Sequence, residues 1–356
     1  MRIAIDVSPL TSKKSLQHRV RGTGFYIEYL KKHLVSYYPN NQYIFFTRGE
    51  KIPENVDLVH YPYFEPFFLT LPFARKYKAA VTVHDLTPLV FPRNFPSGLR
   101  GIIKWKIQKF LLEKIDALIA DSESSKNDIL KFTNIPENKI HVVYLAASPS
   151  FKKINTSALQ SIKQKYKLPD KFVLYVGDVT WNKNLPRLVE AIKKINLTMV
   201  MIGAALVRKD FDWTNPWNQD LFSVIKSIGN DRRFIRHGFI PAKDLVVIYN
   251  LATVFAMPSL YEGFGLPILE AMSCGCPVVA SKNGSIPEVA GGGVYYVDPY
   301  DINELANGIG EVYFNQKLRK ELALKGLAQA KKFSWEKTTK KTIDVYRSVV
   351  NHSSIS

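Results

Sequence analysis

The sequence predicts an α/β protein made of two doubly wound, Rossmann-like parallel sheets. Three observations carry that expectation. Short apolar runs alternate with amphipathic stretches along the chain, the pattern of strands joined by crossover helices. The alternation breaks once, in the polar stretch Ser148–Leu168 with Lys152, Lys153, Asn155, Ser157 and Lys163, and then resumes. The chain has 356 residues, 46% of them hydrophobic, which is enough for two domains with a core each. The expected divisions are a first domain over 1–155, a second over 165–332, and a terminal helix over 333–356 that returns to the first.

In the first half the runs Arg2–Val7, Gln42–Thr47, Val56–His60, Ala79–His84, Asp116–Asp121 and His141–Tyr144 read as strands. Their near-continuous apolar character fits strands covered on both faces. Gly24–Tyr37 and Leu99–Lys114 read as helices between them. In the second half the strand runs are Phe172–Val176, Thr198–Ile202, Phe234–His237, Thr253–Met257, Pro277–Ala280 and Gly293–Val297. Phe333–Val350 is a basic amphipathic helix. Ligands of such sheets bind at the carboxyl ends of strands, so two domains facing each other would form a cleft.

The formal charge is +18, with an excess of eight basic residues before Ser150 and ten after it. A diffuse basic surface favours anionic partners such as polyphosphates, lipid headgroups or nucleic acid. No recognised reading helix or aromatic single-strand platform is present, so nucleic acid is not expected as a partner. Cys274 and Cys276, with one residue between them, make neither a disulfide framework nor a zinc pattern. The start, Met1–Val7, is too short and charged too early for a signal peptide. No window offers the roughly 18 apolar residues of a membrane span. The expected location is cytoplasmic, with peripheral contact at the inner membrane face.

The segment Glu262-Gly-Phe-Gly-Leu-Pro-Ile-Leu-Glu270 carries the strongest functional signal. It reads as a strand-end loop opening into a helix, with Pro267 in the first turn where its missing N–H costs nothing. Gly263 and Gly265 lack a Cβ, so a ligand can lie against the backbone. Free amides and the positive end of the helix dipole suit a diphosphate. Glu262 and Glu270 flank that anion site and can accept from hydroxyls, which points to a nucleotide-sugar.

The block Met257-Pro-Ser-Leu-Tyr-Glu-Gly-Phe-Gly-Leu-Pro-Ile-Leu-Glu-Ala-Met272, continued by Gly275–Ser281 and Ile286–Val289, resembles the family 4 retaining glycosyltransferases of the GT-B fold. Glu262 and Glu270 correspond to that family's E-x7-E pair. The resemblance implies that Glu262 approaches the donor sugar, that the amides of Phe264, Gly265 and Leu266 hold the diphosphate, and that Glu270 accepts from ribose hydroxyls. Val176-Gly-Asp-Val-Thr-Trp-Asn-Lys-Asn-Leu185 is similar to the strand–loop element that brings an Arg and a Lys to the diphosphate. Lys183 matches the lysine and Gly177 the glycine. Asp178 stands where arginine is usual, and a carboxylate there would repel the leaving group, so Lys183 and the helix amides carry more of the charge or another basic residue substitutes.

The first half is similar in shorter stretches. Arg21-Gly-Thr-Gly-Phe-Tyr26 looks like the glycine loop after the first strand, with Gly24 beside donor phosphate. It lacks the third glycine of a dinucleotide fingerprint, which disfavours an NAD enzyme. Val81-Thr-Val-His-Asp-Leu-Thr-Pro88 resembles the mannosyltransferase-like branch. His84 there would bond the donor sugar or orient the acceptor, since a neutral imidazole both donates and accepts. Asp85 is the candidate for fixing that loop or the imidazole tautomer. Asp121-Ser-Glu-Ser-Ser125 resembles the rim of the inter-domain cleft.

The resemblance implies a retaining, metal-independent hexosyltransferase with Glu262, His84 and Lys183 as catalytic residues. The acceptor hydroxyl would be deprotonated by the leaving phosphate, while fixed donors stabilise the departing charge. The donor would be a nucleotide-diphosphate sugar, GDP-mannose by the mannosyltransferase likeness, with a UDP-sugar as alternative. No cofactor is implied. The acceptor would be a glycan or lipid-linked saccharide in cell-surface polysaccharide synthesis. A nucleotide-sugar epimerase and a non-catalytic nucleotide-sugar-binding protein of the same fold remain rival readings. Asp210-Phe-Asp212 has the D-x-D form of a metal-holding pair, but three residues in a polar stretch read far better as a surface loop. Tyr61–Phe68, rich in aromatics and prolines, reads either as a hydrophobic lip for a lipid or as packing over the sheet edge. Leu99–Lys114 mixes lysines with Ile102, Ile103, Trp105 and Phe110 and suggests a membrane contact.

Overall fold

A computed structural model describes residues 1–11, 21–154, 158–208 and 210–351. Asn155 and Ser157 of the expected linker lie outside these. The chain divides into two units, Met1–Ala146 with the segment from Phe333, and Ala147–Lys332. The division after Ala146 falls ahead of the polar stretch, so the helix Ala158–Lys165 belongs to the second unit.

In the first unit six strands, β1 (Arg2–Asp6), β2 (Gln42–Phe46), β3 (Leu58–Tyr61), β4 (Ala79–Val83), β5 (Ala117–Ala120) and β6 (Ile140–Val142), form one sheet in the order β2-β1-β3-β4-β5-β6. Every pairing is parallel. The connecting helices are α1 (Ser8–Thr11), α2 (Arg21–Tyr37), α3 (Thr87–Val90), α4 (Gly98–Glu113) and α5 (Glu123–Phe132). Strands β4 and β5 are buried along their whole length. That is why they read as apolar runs rather than alternating ones. Ser122 caps α5 by accepting from the Ser125 amide.

The second unit carries α6 (Ala158–Lys165), β7 (Val173–Val176), α7 (Leu185–Lys194), β8 (Met199–Ile202), α8 (Gln219–Ile228), β9 (Phe234–His237), α9 (Ala242–Leu251) and β10 (Val254–Met257). Then follow α10 (Leu266–Ser273), β11 (Val278–Ser281), α11 (Ile286–Ala290), β12 (Tyr295–Val297), α12 (Ile302–Phe314) and α13 (Gln316–Ala330). The sheet runs β12-β11-β10-β7-β8-β9, all parallel. Its strand order reverses between β7 and β10, which are neighbours. All twelve strands fall within two residues of the apolar runs. Leu185, Leu188, Val189 and Ile192 of α7 bury against the sheet residues Val173 and Met199. At about 25 cal/mol per Å² of apolar surface, this kind of burial is the main favourable term holding the unit together.

Helix α14 (Trp335–Asn351) belongs to the first unit and packs on α2. Trp335 stacks on His33 of α2 with ring centroids 5.6 Å apart. Tyr346 hydrogen-bonds His60 Nδ1 at 2.7 Å, and His60 Nε2 meets Thr82 Oγ1 at 2.8 Å. Complete burial pushes the His60 imidazole down to about 3, so the ring is neutral. Its single ring proton is shared out between the Tyr346 and Thr82 hydroxyls, each of which can donate or accept.

The stretch Tyr61–Phe68 is mainly packing. Phe64 is a core residue and Tyr61 packs against two hydrophobic clusters. The segment Arg21–Tyr26, expected as a loop, is helical from Arg21, and Gly24 is a buried residue of the first turns of α2.

Candidate active site

In an open parallel sheet the crevice opens where strand order reverses, at the carboxyl ends of the two diverging strands. In the second unit those ends belong to β7 and β10. After β7 the chain runs through Gly177–Thr180 and a short 3₁₀ turn, Trp181–Lys183, into α7. After β10 it runs from Pro258 to Gly265 and into α10.

Two asparagines bind these loops together. Asn182 donates to Tyr261 O at 3.0 Å and accepts from Leu260 N through its own carbonyl at 2.7 Å. Asn184 sits in the left-handed region, φ 57°, and donates to Pro258 O and Pro299 O at 3.1 and 2.7 Å. Lys183 between them is thereby aimed at Glu262. Its Nζ donates to both carboxylate oxygens, at 2.8 and 2.7 Å. Glu262 is buried and Lys183 half-buried. The two residues expected to serve donor sugar and diphosphate are thus one ion pair.

The main chain of Glu262 is fixed from behind. Its carbonyl accepts from Ser285 Oγ at 3.0 Å. A Cβ on Gly284 would stand 2.9 Å from that same oxygen, so the close approach requires glycine there. Gly265 adopts φ +87°, a conformation that L side chains rarely take, and caps α10 by accepting from Ile268 N at 3.0 Å. Phe264 and Gly265 are buried and Leu266 is half-buried. The amides at this helix start point back along the axis, as every first turn does, and Pro267 has none to satisfy. Gly177 accompanies them at the end of β7, with its amide donating to Ile202 O. Tyr175 pins the turn behind it by donating to Asp178 O at 2.6 Å.

Glu270 lies one turn into α10 and accepts from the Tyr249 hydroxyl at 3.1 Å. Burial pushes its carboxyl up to about 7, against a small opposing pull from the Tyr249 hydrogen bond. Near neutral pH it is poised between acid and carboxylate. Hydroxyls that donate to it select the carboxylate.

The first unit has its own constellation. His84 follows β4 and Asp121 follows β5. The in-register pair Val83↔Ala120 sets the two side chains next to each other. His84 Nδ1 meets Asp121 Oδ2 at 2.6 Å. Asp85, expected to fix that loop or the imidazole tautomer, does the first: it accepts from Thr87 N at 2.9 Å. Its side chain is consumed by the local turn, and Asp121 takes the orienting role. Ser125 Oγ steadies the His84 carbonyl at 2.9 Å. Burial alone drives the His84 imidazole down, but attraction and hydrogen bonding from Asp121, aided by Asp85, outweigh it and the net shift is upward. His84 Nε2 and Asp121 Oδ1 are buried with no partner among the described residues. Gly24, expected beside donor phosphate, is instead buried in the first turns of α2.

Asp212 of the D-x-D triplet accepts from Thr214 N and Oγ1 at 2.9 and 2.7 Å, an ordinary turn. Among the described residues no group of three or more His, Cys, Asp or Glu could hold a metal ion. Asn182, Asn184, Tyr249 and Ser285 carry structural work at this site that motif matching assigned to none of them. The Asn-Lys-Asn spacing was the one available signal.

Two family models cover most of the chain: Glycosyltransferase Family 4 over residues 8–150 and Glycosyl transferases group 1 over residues 159–328. O-antigen chain mannosyltransferase B of Escherichia coli is 33% identical over 296 residues, which are 82% of this chain and 75% of that protein. Serotype-specific mannosyltransferase WbdA of Escherichia coli is 30% identical over 286 residues, 78% of this chain but only 34% of the longer protein. Among solved structures, sucrose-phosphate synthase from Thermosynechococcus elongatus superposes with a TM-score of 0.76 at 18% identity, covering 99% of this chain and 100% of that one. Anabaena Alr3699/HepE in complex with UDP and glucose gives 0.73 at 17% identity, covering 98% and 100%. These structural matches establish the fold. The chain therefore belongs to glycosyltransferase family 4, the group 1 glycosyltransferases of the GT-B fold.

Proposed function

We propose that this glycosyltransferase moves mannose, with retention of anomeric configuration and without a metal ion, from GDP-mannose to a glycan or lipid-linked acceptor in cell-surface polysaccharide synthesis. The observation that carries the reading is the Lys183–Glu262 ion pair beside the start of α10, at the reversal point of the second sheet. Breaking a sugar–diphosphate bond leaves negative charge on the nucleotide and positive character on the sugar. Lys183 and the amides of Gly265 and Leu266 answer the first, and Glu262 the second. The amides and Glu262 are fixed before reaction and only the Lys183 ammonium has to swing from Glu262 to a phosphate oxygen, so little reorganisation opposes the charge separation. Glu270 accepts from the ribose. His84, oriented by Asp121, presents Nε2 to a sugar hydroxyl. The names of the two Escherichia coli relatives support mannose, and the UDP bound in Alr3699/HepE keeps a UDP-sugar as the alternative donor.

The test is a thermal-shift panel of nucleotide-sugars, followed by transfer assays with the donor that binds and proton NMR of the product anomer. Stabilisation by GDP-mannose and an α product that forms equally in the presence of EDTA are expected. A β product would overturn retention, loss of activity in EDTA would overturn metal independence, and turnover of the donor without any acceptor would indicate an epimerase.

A further inference from the structure

Two crossovers of the first sheet carry no helix. The connections from β2 to β3 (residues 47–57) and from β3 to β4 (residues 62–78) are loops, whereas the other three run through helices. A parallel sheet is ordinarily covered by helices on both faces. Here the two loops do the covering. Ile52 from the first and Tyr77 from the second pack on the cluster Ala4, Phe46, Val56 and Val59. They do not fill the space. A cavity of about 510 Å³ stays beneath them, lined from the sheet by Phe46, Val59, Tyr61 and Asp6. Small-molecule sites run to about 300–1,000 Å³. Its walls are tied together. The Tyr77 hydroxyl donates to Pro53 O at 2.9 Å, Arg48 donates to Leu69 O at 2.9 Å and to Thr70 O, and Lys76 pairs with Glu54 at 3.3 Å.

Most charged groups of the lining are spent on the protein. Arg75 bonds Asp116 at 3.3 Å and the Lys114 carbonyl, and Glu50 accepts from Thr47 N at 2.6 Å. Two polar atoms are not. The Tyr61 hydroxyl bonds nothing among the described residues. Burial, with the Asp6 carboxylate nearby, pushes it up to about 12, so it stays a neutral donor and acceptor. Asp6 is buried. Its Oδ1 accepts from Ser8 N and Oγ, while Oδ2 meets only Arg48 Nε among the described residues, 3.9 Å away. A buried carboxylate repels an anion, and the guanidinium beside it repels a cation. A neutral ligand with several hydroxyls and an apolar face suits both. Its hydroxyls donate to Asp6 and exchange with Tyr61, and its C–H groups pack on the aromatic rings. That description fits a saccharide.

The cavity does not lie on the side of the candidate catalytic histidine. Successive side chains of a strand point to opposite faces. Tyr61 pairs with Val81, on the face where Val81 and Val83 pack with Leu111 and Leu112 of α4. His84, next after Val83, turns to the other face, where its ring meets Tyr26 of α2 at 5.0 Å. We propose that this cavity is a second saccharide site, which holds a stretch of the acceptor glycan on the face of the first sheet opposite His84. It rests on the reading of a glycan acceptor and on no residue of the donor site. Such a site favours long acceptors over short ones.

The experiment is isothermal titration of the full chain, without donor, with mannose, mannotetraose and maltotetraose. The comparison variants are Tyr61→Phe, which removes the hydroxyl and keeps the ring, and Ala74→Trp, which fills the cavity from an exposed position. The expected result is that mannotetraose binds more tightly than mannose. Its affinity should fall about twofold to tenfold in Tyr61→Phe, the worth of one hydrogen bond, and further in Ala74→Trp. GDP-mannose binding should be the same in all three proteins; its absence from all three would count against the donor reading and leave this one standing. Binding of maltotetraose alone, weakened by both substitutions, would keep the site and correct the sugar proposed for transfer. Tetrasaccharide binding unchanged in Ala74→Trp would overturn the proposal, as would failure of the wild type to bind either tetrasaccharide.

Discussion

Replacing Glu270 by Gln should make the protein more stable and its nucleotide binding weaker. Burial holds this carboxyl up to about 7, against 4.5 for an unhindered glutamate. At about 1.4 kcal/mol per unit, that difference is on the order of 3 kcal/mol. The sign follows from proton uptake. Between the two values the unfolded chain has lost the proton and the folded one retains it, so stability falls as pH rises through that window. Below the lower value the group contributes nothing, and above the upper one the full destabilisation is present. Gln keeps an oxygen for the Tyr249 hydroxyl and carries no charge to bury. Glu270→Gln should therefore gain about 3 kcal/mol at pH 8 and less than about 1 kcal/mol at pH 5. Urea unfolding at the two pH values reads this directly. In binding the variant should lose, because hydrogen bonds to a charged acceptor are worth about 1.5–3 kcal/mol, or roughly tenfold to a hundredfold in affinity for GDP. Wild-type affinity should rise between pH 6 and 8 as the carboxylate is populated. A variant equally stable at both pH values relative to wild type would refute the burial argument. Unchanged GDP affinity would refute the ribose contact.

Three further predictions concern the polar networks. Lys183→Ala should both weaken nucleotide binding and destabilise the fold, because it leaves a buried Glu262 carboxylate unpaired, a cost of about 3–5 kcal/mol. The double variant Lys183→Ala/Glu262→Gln should recover most of the stability in urea melts and none of the transfer activity; recovered activity would remove the pair from the chemistry. Asp121→Asn should shift the His84 titration to lower pH in imidazole NMR, since burial persists while the opposing carboxylate is gone. An unmoved midpoint would show that Asp121 is not what raises it. Tyr346→Phe should cost about 1–3 kcal/mol by leaving the buried His60 Nδ1 without its hydrogen-bond partner, and a neutral effect would mean that water takes the hydroxyl's place.

The strands were readable because parallel strands covered on both faces carry unbroken apolar runs, as Ala117–Ala120 and Met199–Ile202 do. Strand order was not readable, since it depends on pairing rather than local pattern, and the reversal between β7 and β10 is what locates the site. The same limit hid the Lys183–Glu262 pair. Each residue was legible as a motif position, but their contact follows from the pairing Phe255↔Leu174 across 79 residues of chain. Asp121 was legible only as part of a cleft-rim segment, because its contact with His84 lies across two strands rather than along the chain. The sheet register favours the residue one strand over. Gly24 was placed in a loop on the likeness of Arg21–Tyr26 to the family's glycine loop, whereas here it is a buried residue in the first turns of α2. Leu99–Lys114 mixes lysines with apolar residues because the helix packs through Gly101, Gln108, Leu111 and Leu112 and leaves the rest partly or fully exposed.

The most direct test is a crystal structure of the full chain with GDP. A β-phosphate within about 3 Å of the Gly265 and Leu266 amides, with Lys183 turned from Glu262 toward a phosphate oxygen and Glu270 on the ribose, is what the account requires. A diphosphate bound elsewhere, with the start of α10 untouched and the ion pair intact, would contradict it.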